Sequence, residues 1–175
     1  GYGGGDFDAS DDRIVFAVPG RGLFLRGYDK QPAYPLVATA HCVSSPKLSP
    51  DDRFVLYLES NGCEDWLAVV SIADGETRKL AKGADFYMQP SWSPDGKRVA
   101  WVEWNHPHMP WTGSTVFLAE FDAETASLRE KRKVAGGSDF PADQPQFSPD
   151  GKRLSYIVSN GRFQDIALFD SRVDL

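Results

Sequence analysis

A ten-residue motif occurs twice in this chain and restricts its fold more than any other feature. Residues 89–98 read QPSWSPDGKR and residues 144–153 read QPQFSPDGKR. In both copies an aromatic residue directly precedes the serine of S-P-D-G. A shorter copy, SPDDR, occupies residues 49–53, and a degraded one, DDR, occupies residues 11–13. An apolar run follows every copy, so internal repetition is predicted to determine the fold.

The chemistry of S-P-D-G explains why the motif recurs. Proline presets the backbone dihedral at the second position of a turn, and aspartate suits the third position. Glycine accepts the positive φ angle that returns the chain antiparallel to itself. Each copy is therefore predicted to be a hairpin between two strands.

Two further landmarks keep step with the hairpins. Gly-x-Asp-Phe occurs at residues 4–7, 83–86 and 137–140, each time a short distance before a hairpin. An apolar strand ending in aspartate follows each hairpin, and these aspartates are interpreted as turn initiators that accept a hydrogen bond from the backbone two residues on. They are Asp29, Asp74, Asp122 and Asp170.

Together the landmarks predict an all-β fold, a β-propeller fragment of about four blades of four-stranded antiparallel sheet. Helical periodicity is almost absent, and AETASLREKRK at residues 123–133 is predicted to be a turn and an outer strand. The last blade is predicted to be incomplete. Exposed edges of an unclosed ring are sticky, so dimerisation or strand exchange would hide them. The blades are placed at about 1–38, 39–82, 83–136 and 137–175.

Composition excludes several classes of partner. The formal net charge is −6, with acidic and basic residues interspersed, so no basic stripe is available for nucleic acid or an anionic membrane surface. No apolar run approaches the roughly 18 to 20 residues that span a bilayer, and the glycine-rich start does not resemble a signal peptide. A soluble chain is expected.

The cysteines and histidines do not form a recognisable metal motif. No C-x-x-C or H-x-x-x-H spacing is present, so neither a metal nor another cofactor is expected. Cys42 and Cys63 are too few for a disulfide scaffold, although a single bridge between them stays open. Unpaired cysteines favour a cytoplasmic location.

An ordered set of segments resembles a known family. The set comprises Tyr2-Gly3-Gly4-Gly5, Asp85-Phe86-Tyr87, WVEWNHPHMPW at residues 101–111 and Val134-Ala135-Gly136-Gly137. It resembles the propeller domain of bacterial prolyl oligopeptidase family serine peptidases, the branch with acylaminoacyl peptidase and dipeptidyl aminopeptidase-like enzymes. The resemblance implies a propeller that caps an α/β-hydrolase domain carrying Ser, Asp and His, and that admits short peptides. The SPDGKR hairpins also resemble the periplasmic TolB family.

No catalytic residue is assigned to this chain. The G-x-S-x-G turn that presents a hydrolase serine does not occur, so the hydrolase domain is expected outside these 175 residues. Gly3, Gly4 and Gly5 are not followed by Gly-Lys-Ser/Thr, so they are interpreted as a bend and not as a phosphate loop. The expected role is gating and selection of peptide substrates. The alternative is a non-enzymatic, periplasmic TolB-like propeller that binds proteins.

The segment NHPHMPW, residues 105–111, is more than the repeat requires. Its two prolines prevent regular strand pairing, which predicts a loop between the second and third strands of the third blade. Two interpretations stay open: contact with a neighbouring domain or a substrate peptide, or apolar side chains covering a blade edge beside solvated histidines. The loop is predicted to share one end of its sheet with Gly-x-Asp-Phe, opposite the SPDGKR turn. The candidate binding residues are Trp104, His106, His108, Met109 and Trp111.

Overall fold

The computed structural model describes residues 5–29 and 31–171, which divide between two compact units, Gly1–Gly83 and Ala84–Leu175. Nearly all of the regular structure is antiparallel β-sheet, which confirms the predicted all-β propeller fragment. Two of the three glycines of the bend predicted at the chain start, Gly3 and Gly4, lie outside the described residues. Gly5, which is described, has a φ angle of 88°.

The first unit consists of two four-stranded sheets in which each strand pairs with the next along the chain. This simple up-and-down order is that of propeller blades. The first sheet comprises β1 (Phe7–Ala9), β2 (Arg13–Val18), β3 (Gly22–Gly27) and β4 (Tyr34–Ala38). The second comprises β5 (Cys42–Leu48), β6 (Phe54–Ser60), β7 (Asp65–Ser71) and β8 (Thr77–Lys82).

The second unit contains a four-stranded sheet and, among the described residues, a three-stranded one. The third sheet comprises β9 (Phe86–Trp92), β10 (Arg98–Trp104), β11 (Thr115–Asp122) and β12 (Ser127–Gly136). The fourth comprises β13 (Ala142–Phe147), β14 (Arg153–Ser159) and β15 (Gln164–Asp170). The segment at residues 123–133 is indeed a turn followed by an outer strand. A single helical turn, α1 (Pro110–Gly113), lies between β10 and β11.

The S-P-D-G segments form the predicted hairpin turns. The backbone N–H of Ser93 donates to the carbonyl of Arg98, and the N–H of Gly96 donates to the carbonyl of Ser93, both at 2.9 Å. The Ser93 hydroxyl closes the turn from inside, because it accepts the N–H of Arg98 at 2.9 Å. Asp52 takes the glycine position in the second sheet with a φ angle of 56°.

The Gln-Pro that opens the repeat marks a bulge in the first strand of a sheet. The residue before the proline has a φ angle of 52° to 54° although it is not glycine, a conformation that costs about 1 kcal/mol or more. Pairing with the second strand shifts register at the same point. Ser45-Pro46 was not recognised as a copy of this motif from the sequence, but it has the same positive φ angle and the same shift of register as the two Gln-Pro copies. The residues with positive φ are Ser45, Gln89 and Gln144.

The core of the first unit lies between its two sheets. Leu23 and Leu25 of β3 pack in one cluster with Tyr57 of β6 and Ala68 of β7, and all four are at most 2% exposed. Burial holds the pKa of the Tyr57 hydroxyl well above its ordinary value. In the second unit, β13 packs against β9, β10 and β11. Sheet-on-sheet packing therefore stabilises each unit.

Both faces of β10 are buried, as the sequence predicted. Every residue from Val99 to Val102 is 0% exposed, and Glu103 is 8% exposed. Glu103 is compensated there, because it accepts hydrogen bonds from the indole N–H of Trp101 at 2.8 Å and from the Lys131 ammonium at 2.6 Å.

Cys42 and Cys63 are both free and exposed, so the disulfide left open by the sequence is not formed. The described residues include no helix with the length and apolar character needed to cross a membrane.

Candidate functional site

The loop after β10 lies at the opposite end of the third sheet from the SPDGKR turn. Arg98 pairs with Glu120 at one end of the β10–β11 hairpin, whereas Glu103 pairs with Thr115 at the other. Trp111 follows the second end, which Phe86 of Gly-x-Asp-Phe shares because it pairs with Trp104. The predicted separation of the two ends is therefore correct.

Hydrogen bonds made by Asp85 and Asn105 hold the start of the loop. The backbone N–H of Asp85 donates to the Asn105 side-chain oxygen at 2.7 Å. The Asp85 carboxylate in turn accepts the backbone N–H of His106 at 2.8 Å. The aspartate of Gly-x-Asp-Phe thus has a structural role in this sheet, since it fixes the direction in which the loop leaves β10.

Trp104, Phe86 and His106 form an aromatic stack beneath the loop. The rings of Trp104 and Phe86 lie parallel with centroids 5.1 Å apart, and His106 meets Phe86 edge-on at 4.9 Å. Trp104 is only 3% exposed. This candidate binding residue therefore supports the loop from the core and is not available on the surface for binding. Phe86, which the candidate set omitted, is the link between Trp104 and His106.

The prolines predicted a loop between β10 and β11, and the second half of that loop is a helical turn. Pro110 occupies the first position of α1, where no N–H is needed, and the Thr112 hydroxyl accepts the backbone N–H of Met109 at 2.9 Å. His108 packs against Gly113 so closely that a Cβ placed on the glycine would lie 2.5 Å from the His108 Cβ. His108 is therefore held inside the loop.

Ser114 fastens the end of the loop to the fourth sheet. It is 0% exposed, and its hydroxyl donates to the carbonyl of Ala142 at 2.9 Å. Its own carbonyl accepts the N–H groups of Gly137 at 2.9 Å and Ala142 at 3.1 Å. The link at residues 137–142 is thereby drawn to the loop, and it carries Phe140.

Three apolar side chains on the loop and on the link at residues 137–142 are exposed. Met109 is 40% exposed, Phe140 57% and Trp111 64%. We call these three residues the apolar tip. Each belongs to a segment held by the contacts described above, so the tip presents apolar surface on a fixed support.

The turn end of the same unit is polar. A hydrogen bond from the Ser148 hydroxyl, followed by one from the N–H of Lys152, holds the pKa of Asp150 below its ordinary value. The N–H groups of Glu124 and Thr125 do the same to the pKa of Asp122. These carboxylates initiate turns. The interpretation of the strand-terminal aspartates also holds for Asp29 and Asp74, which accept the N–H of Gln31 and Glu76.

The residues beside the apolar tip have structural contacts. In the part of the chain that the structure describes, no three His, Cys, Asp or Glu side chains are grouped so that they could hold a metal ion. The backbone N–H of His106 is engaged by Asp85, and the ring of His106 packs on Phe86. The tip itself is an exposed apolar surface formed by Met109, Phe140 and Trp111.

Comparison with known proteins agrees with the fold. No family model matches the chain. A curated TolB homolog of Chlorobium chlorochromatii is 24% identical over 119 residues, which are 65% of this chain and 23% of that protein. This chain thus spans about a quarter of the length of that relative.

Solved structures match over nearly the whole chain. A puromycin-hydrolyzing peptidase of Mycobacterium tuberculosis has a TM-score of 0.79 and 25% identity, covering 97% of this chain and 30% of the peptidase. TolB from Acinetobacter baumannii has a TM-score of 0.68 and 18% identity, covering 95% of this chain and 40% of TolB. The structural neighbours of this chain therefore include the propeller domains of peptidases of the prolyl oligopeptidase family, and TolB shares the fold.

Proposed function

We propose that this chain is a propeller segment of a serine peptidase, and that it gates and selects peptide substrates for a hydrolase domain supplied outside these 175 residues. The observation that carries the proposal is the apolar tip, where Trp111 is 64% exposed at the end of a rigid sheet. The likeness to a puromycin-hydrolyzing peptidase over 97% of the chain supports the assignment. A cytoplasmic location accompanies this proposal.

The structure suggests how the tip would select. Trp111 and Met109 flank Pro110, whose fixed φ angle starts the helical turn, so both side chains leave a backbone with little freedom. Binding an apolar side chain of a peptide there would cost little ordering of the loop. A site of this kind would favour peptides with an exposed apolar or aromatic residue over uniformly polar ones.

The first experiment is to extend the reading frame beyond the codon for Leu175 and express the longer protein. A G-x-S-x-G elbow followed by Asp and His is expected. In that protein, Trp111→Ala is expected to lower kcat/KM for short apolar peptides severalfold, whereas Tyr28→Ala leaves it unchanged. Tyr28 is a matched control because it is an aromatic residue 57% exposed in the other unit. Equal effects of the two substitutions would contradict the proposal.

The second experiment uses the chain itself. Blocked tripeptides with and without a central leucine are titrated while tryptophan fluorescence is recorded, and the apolar series is expected to shift the emission. Trp111→Phe should abolish that shift, and a shift that survives the substitution would exclude the tip. The isolated chain is also expected not to react with a fluorophosphonate serine probe, and stoichiometric labelling would contradict the absence of a nucleophile.

A second candidate function is a non-enzymatic, periplasmic TolB-like module that binds proteins through the same tip. The observation that favours it is the curated relative, a TolB homolog matched over 65% of this chain. The extended reading frame separates the two functions. A stop codon after further propeller strands favours the binding module, and a serine elbow favours the peptidase.

A further inference from the structure

Two hairpin turns of the chain share the sequence Ser-Asn-Gly. One lies between β6 and β7 and begins at residues 60–62, and the other lies between β14 and β15 and begins at residues 159–161. In each turn the backbone N–H of the asparagine donates to the carbonyl of the residue three positions on, at 3.2 Å. Glycine has no side chain to crowd its own backbone nitrogen. Each turn therefore places an asparagine side-chain amide beside an unhindered backbone nitrogen.

Two donors hold the side-chain oxygen of the asparagine in each turn. Asn61 is exposed, and its Oδ1 accepts the backbone N–H groups of Cys63 and Glu64, both at 2.9 Å. The Oδ1 of Asn160 accepts the N–H groups at the same two places of its own turn, at 3.0 and 2.9 Å. Donors fixed in this way stabilise the negative charge that forms on an oxygen when a nucleophile attacks its carbon. The amide carbon of each asparagine is thus prepared for attack.

The serine that precedes each asparagine lies at the proton that the attack must remove. The N–H of Gly62 donates to the Ser60 hydroxyl at 3.3 Å, and the N–H of Gly161 donates to the Ser159 hydroxyl at 3.2 Å. The glycine nitrogen becomes a nucleophile only when it loses this proton. A hydroxyl both accepts and donates, so it can receive the proton and pass another to water.

The third asparagine of the chain, Asn105, has neither feature. Its Oδ1 accepts the N–H of Asp85 at 2.7 Å, and the N–H of His106, which follows it, donates to the Asp85 carboxylate at 2.8 Å. Both groups that would have to react are therefore held by a residue from another segment. The His106 side chain also crowds the backbone nitrogen, and its ring is fixed against Phe86. Asn105 is an internal comparison for the two turns.

We propose that Asn61 and Asn160 are self-modification sites, at which the folded turn converts asparagine to isoaspartate and aspartate. In the first step the Gly62 nitrogen loses its proton and bonds to the Cγ of Asn61. The Cγ–Nδ2 bond breaks, and Nδ2 leaves as ammonia with that proton, which leaves a cyclic imide. In the second step water opens the imide. Cleavage of the bond from nitrogen to Cγ gives aspartate, and cleavage of the bond to the main-chain carbonyl carbon gives isoaspartate. The same steps apply to Gly161 and Asn160.

The isoaspartate product would loosen the hairpin. Its main chain runs through Cγ, so the turn gains one backbone carbon and the Oδ1 that held Cys63 and Glu64 is lost as a side-chain acceptor. The β6–β7 hairpin carries Tyr57 and Ala68 of the buried core, so the change acts on the stability of the first unit. The proposal is independent of the proposed function, because it involves neither the apolar tip nor a hydrolase domain.

The first test is storage of the purified chain at mildly alkaline pH with peptide mapping by mass spectrometry at intervals. Loss of the mass of ammonia, followed by gain of the mass of water, is expected at Asn61 and Asn160. Isoaspartate is identified by carboxyl methylation with an isoaspartyl methyltransferase. Asn105 should remain asparagine. Persistence of asparagine at 61 and 160, or conversion of Asn105 at the same rate, would overturn the proposal.

Substitution of one serine at a time tests the contribution of the fold. Ser60→Ala is expected to slow conversion of Asn61 severalfold and to leave the rate at Asn160 unchanged, and Ser159→Ala should do the reverse. Each variant therefore contains its own control turn. In concentrated urea, where the turns are unfolded, Ser60→Ala should have no effect on the rate at Asn61. Equal rates for the parent and Ser60→Ala in the folded chain, or an equal serine effect in urea, would contradict the assigned role.

Asn61→Asp separates the effect of the extra backbone carbon from that of the new charge. This variant keeps a side-chain oxygen that can accept from Cys63 and Glu64, and it has the same charge as the isoaspartate form. Hydrogen exchange of the peptide that spans the turn is expected to be faster in the isoaspartate form of the stored chain than in Asn61→Asp. Equal exchange in the two would rule out the loosened hairpin.

Discussion

The guanidinium of Arg98 joins two consecutive turns of the repeat, because it donates a hydrogen bond to the carbonyl oxygen of Gly151 at 2.9 Å. Its second nitrogen donates to the carbonyl and the hydroxyl of Ser171 at 2.9 and 2.8 Å. Turn chemistry alone needs no arginine after S-P-D-G-K. Arg98 thus fastens the third sheet to the fourth at their turn ends.

Arg98→Ala is expected to destabilise the second unit by about 2 to 3 kcal/mol, because carbonyl groups that now accept from a charged donor would lose it. Arg98→Lys should recover only part of this loss, since an ammonium cannot span Gly151 and Ser171 as the planar fork does. Urea unfolding measures both variants. Unchanged stability of Arg98→Ala would contradict the assigned contact.

Truncation of Trp104 is expected to lower the stability of the fold much more than truncation of Trp111. Trp104 is 3% exposed, and Trp104→Ala should cost about 3 to 5 kcal/mol through the cavity it leaves. Trp111→Ala should change stability by less than about 0.5 kcal/mol, because its ring is mostly in solvent. Thermal unfolding of the two variants makes the comparison. A large loss for Trp111→Ala would mean that its ring covers the sheet edge and is not free to bind.

Gly113→Ala is expected to disturb the loop locally, because the new Cβ would lie 2.5 Å from the Cβ of His108. Overpacking of this kind costs about 1 to 3 kcal/mol. Adding His108→Gly removes the atom in conflict and should restore the loop, whereas Thr115→Ala should not. Hydrogen exchange at the amide of Ser114 is the local measurement, and equal exchange in Gly113→Ala and the parent would contradict the packing.

Acid is expected to weaken the fold through the turn aspartates. Hydrogen bonds from neighbouring N–H and O–H groups lower the pKa of Asp74, Asp122 and Asp150. A carboxyl whose folded-state pKa is lowered stabilises the fold above its ordinary pKa of about 3.9, and this contribution disappears as the pH falls through the lower, folded-state value. Replacing all three by asparagine should flatten the dependence of Tm on pH below about 4. An equally steep fall in the triple variant would rule these groups out.

Asp143 is expected to act with the opposite sign. Burial raises the pKa of its carboxyl, and its Oδ1 is buried without a hydrogen-bond partner among the described residues. The ionised group therefore opposes folding once the pH exceeds the raised value, and the penalty vanishes below its ordinary pKa. Asp143→Asn should raise Tm at neutral pH and leave it unchanged at about pH 3. A lower Tm at neutral pH would indicate a carboxylate interaction that asparagine cannot make.

Features set by local interactions were predictable. The hairpins follow from S-P-D-G, because the dihedral preferences of proline and glycine act within four residues. The strand at residues 127–136 was likewise recognised by its place in the repeat. The Ser45-Pro46 bulge was missed although it lies before a copy of the turn, because serine in place of glutamine hides the match.

The loop was the part that local rules described incompletely. Two prolines correctly excluded a strand, but Pro110 also suits the first position of a helix, and no local preference separates the two outcomes. Local rules could not predict that Trp104 is buried or that Phe86 lies beneath His106, because both depend on the pairing of β9 with β10. Residues 18 positions apart in the chain are neighbours there.

The sequence by itself determined the repeat, the strands and the turns, since those depend on dihedral preferences and on apolar alternation within a few residues. Only the tertiary structure decided that Arg98 joins two sheets and that Trp111 is exposed while Trp104 is buried. Burial is a property of what lies opposite a side chain. Two tryptophans in one short segment can therefore differ in exposure when only one of them lies against a neighbouring strand.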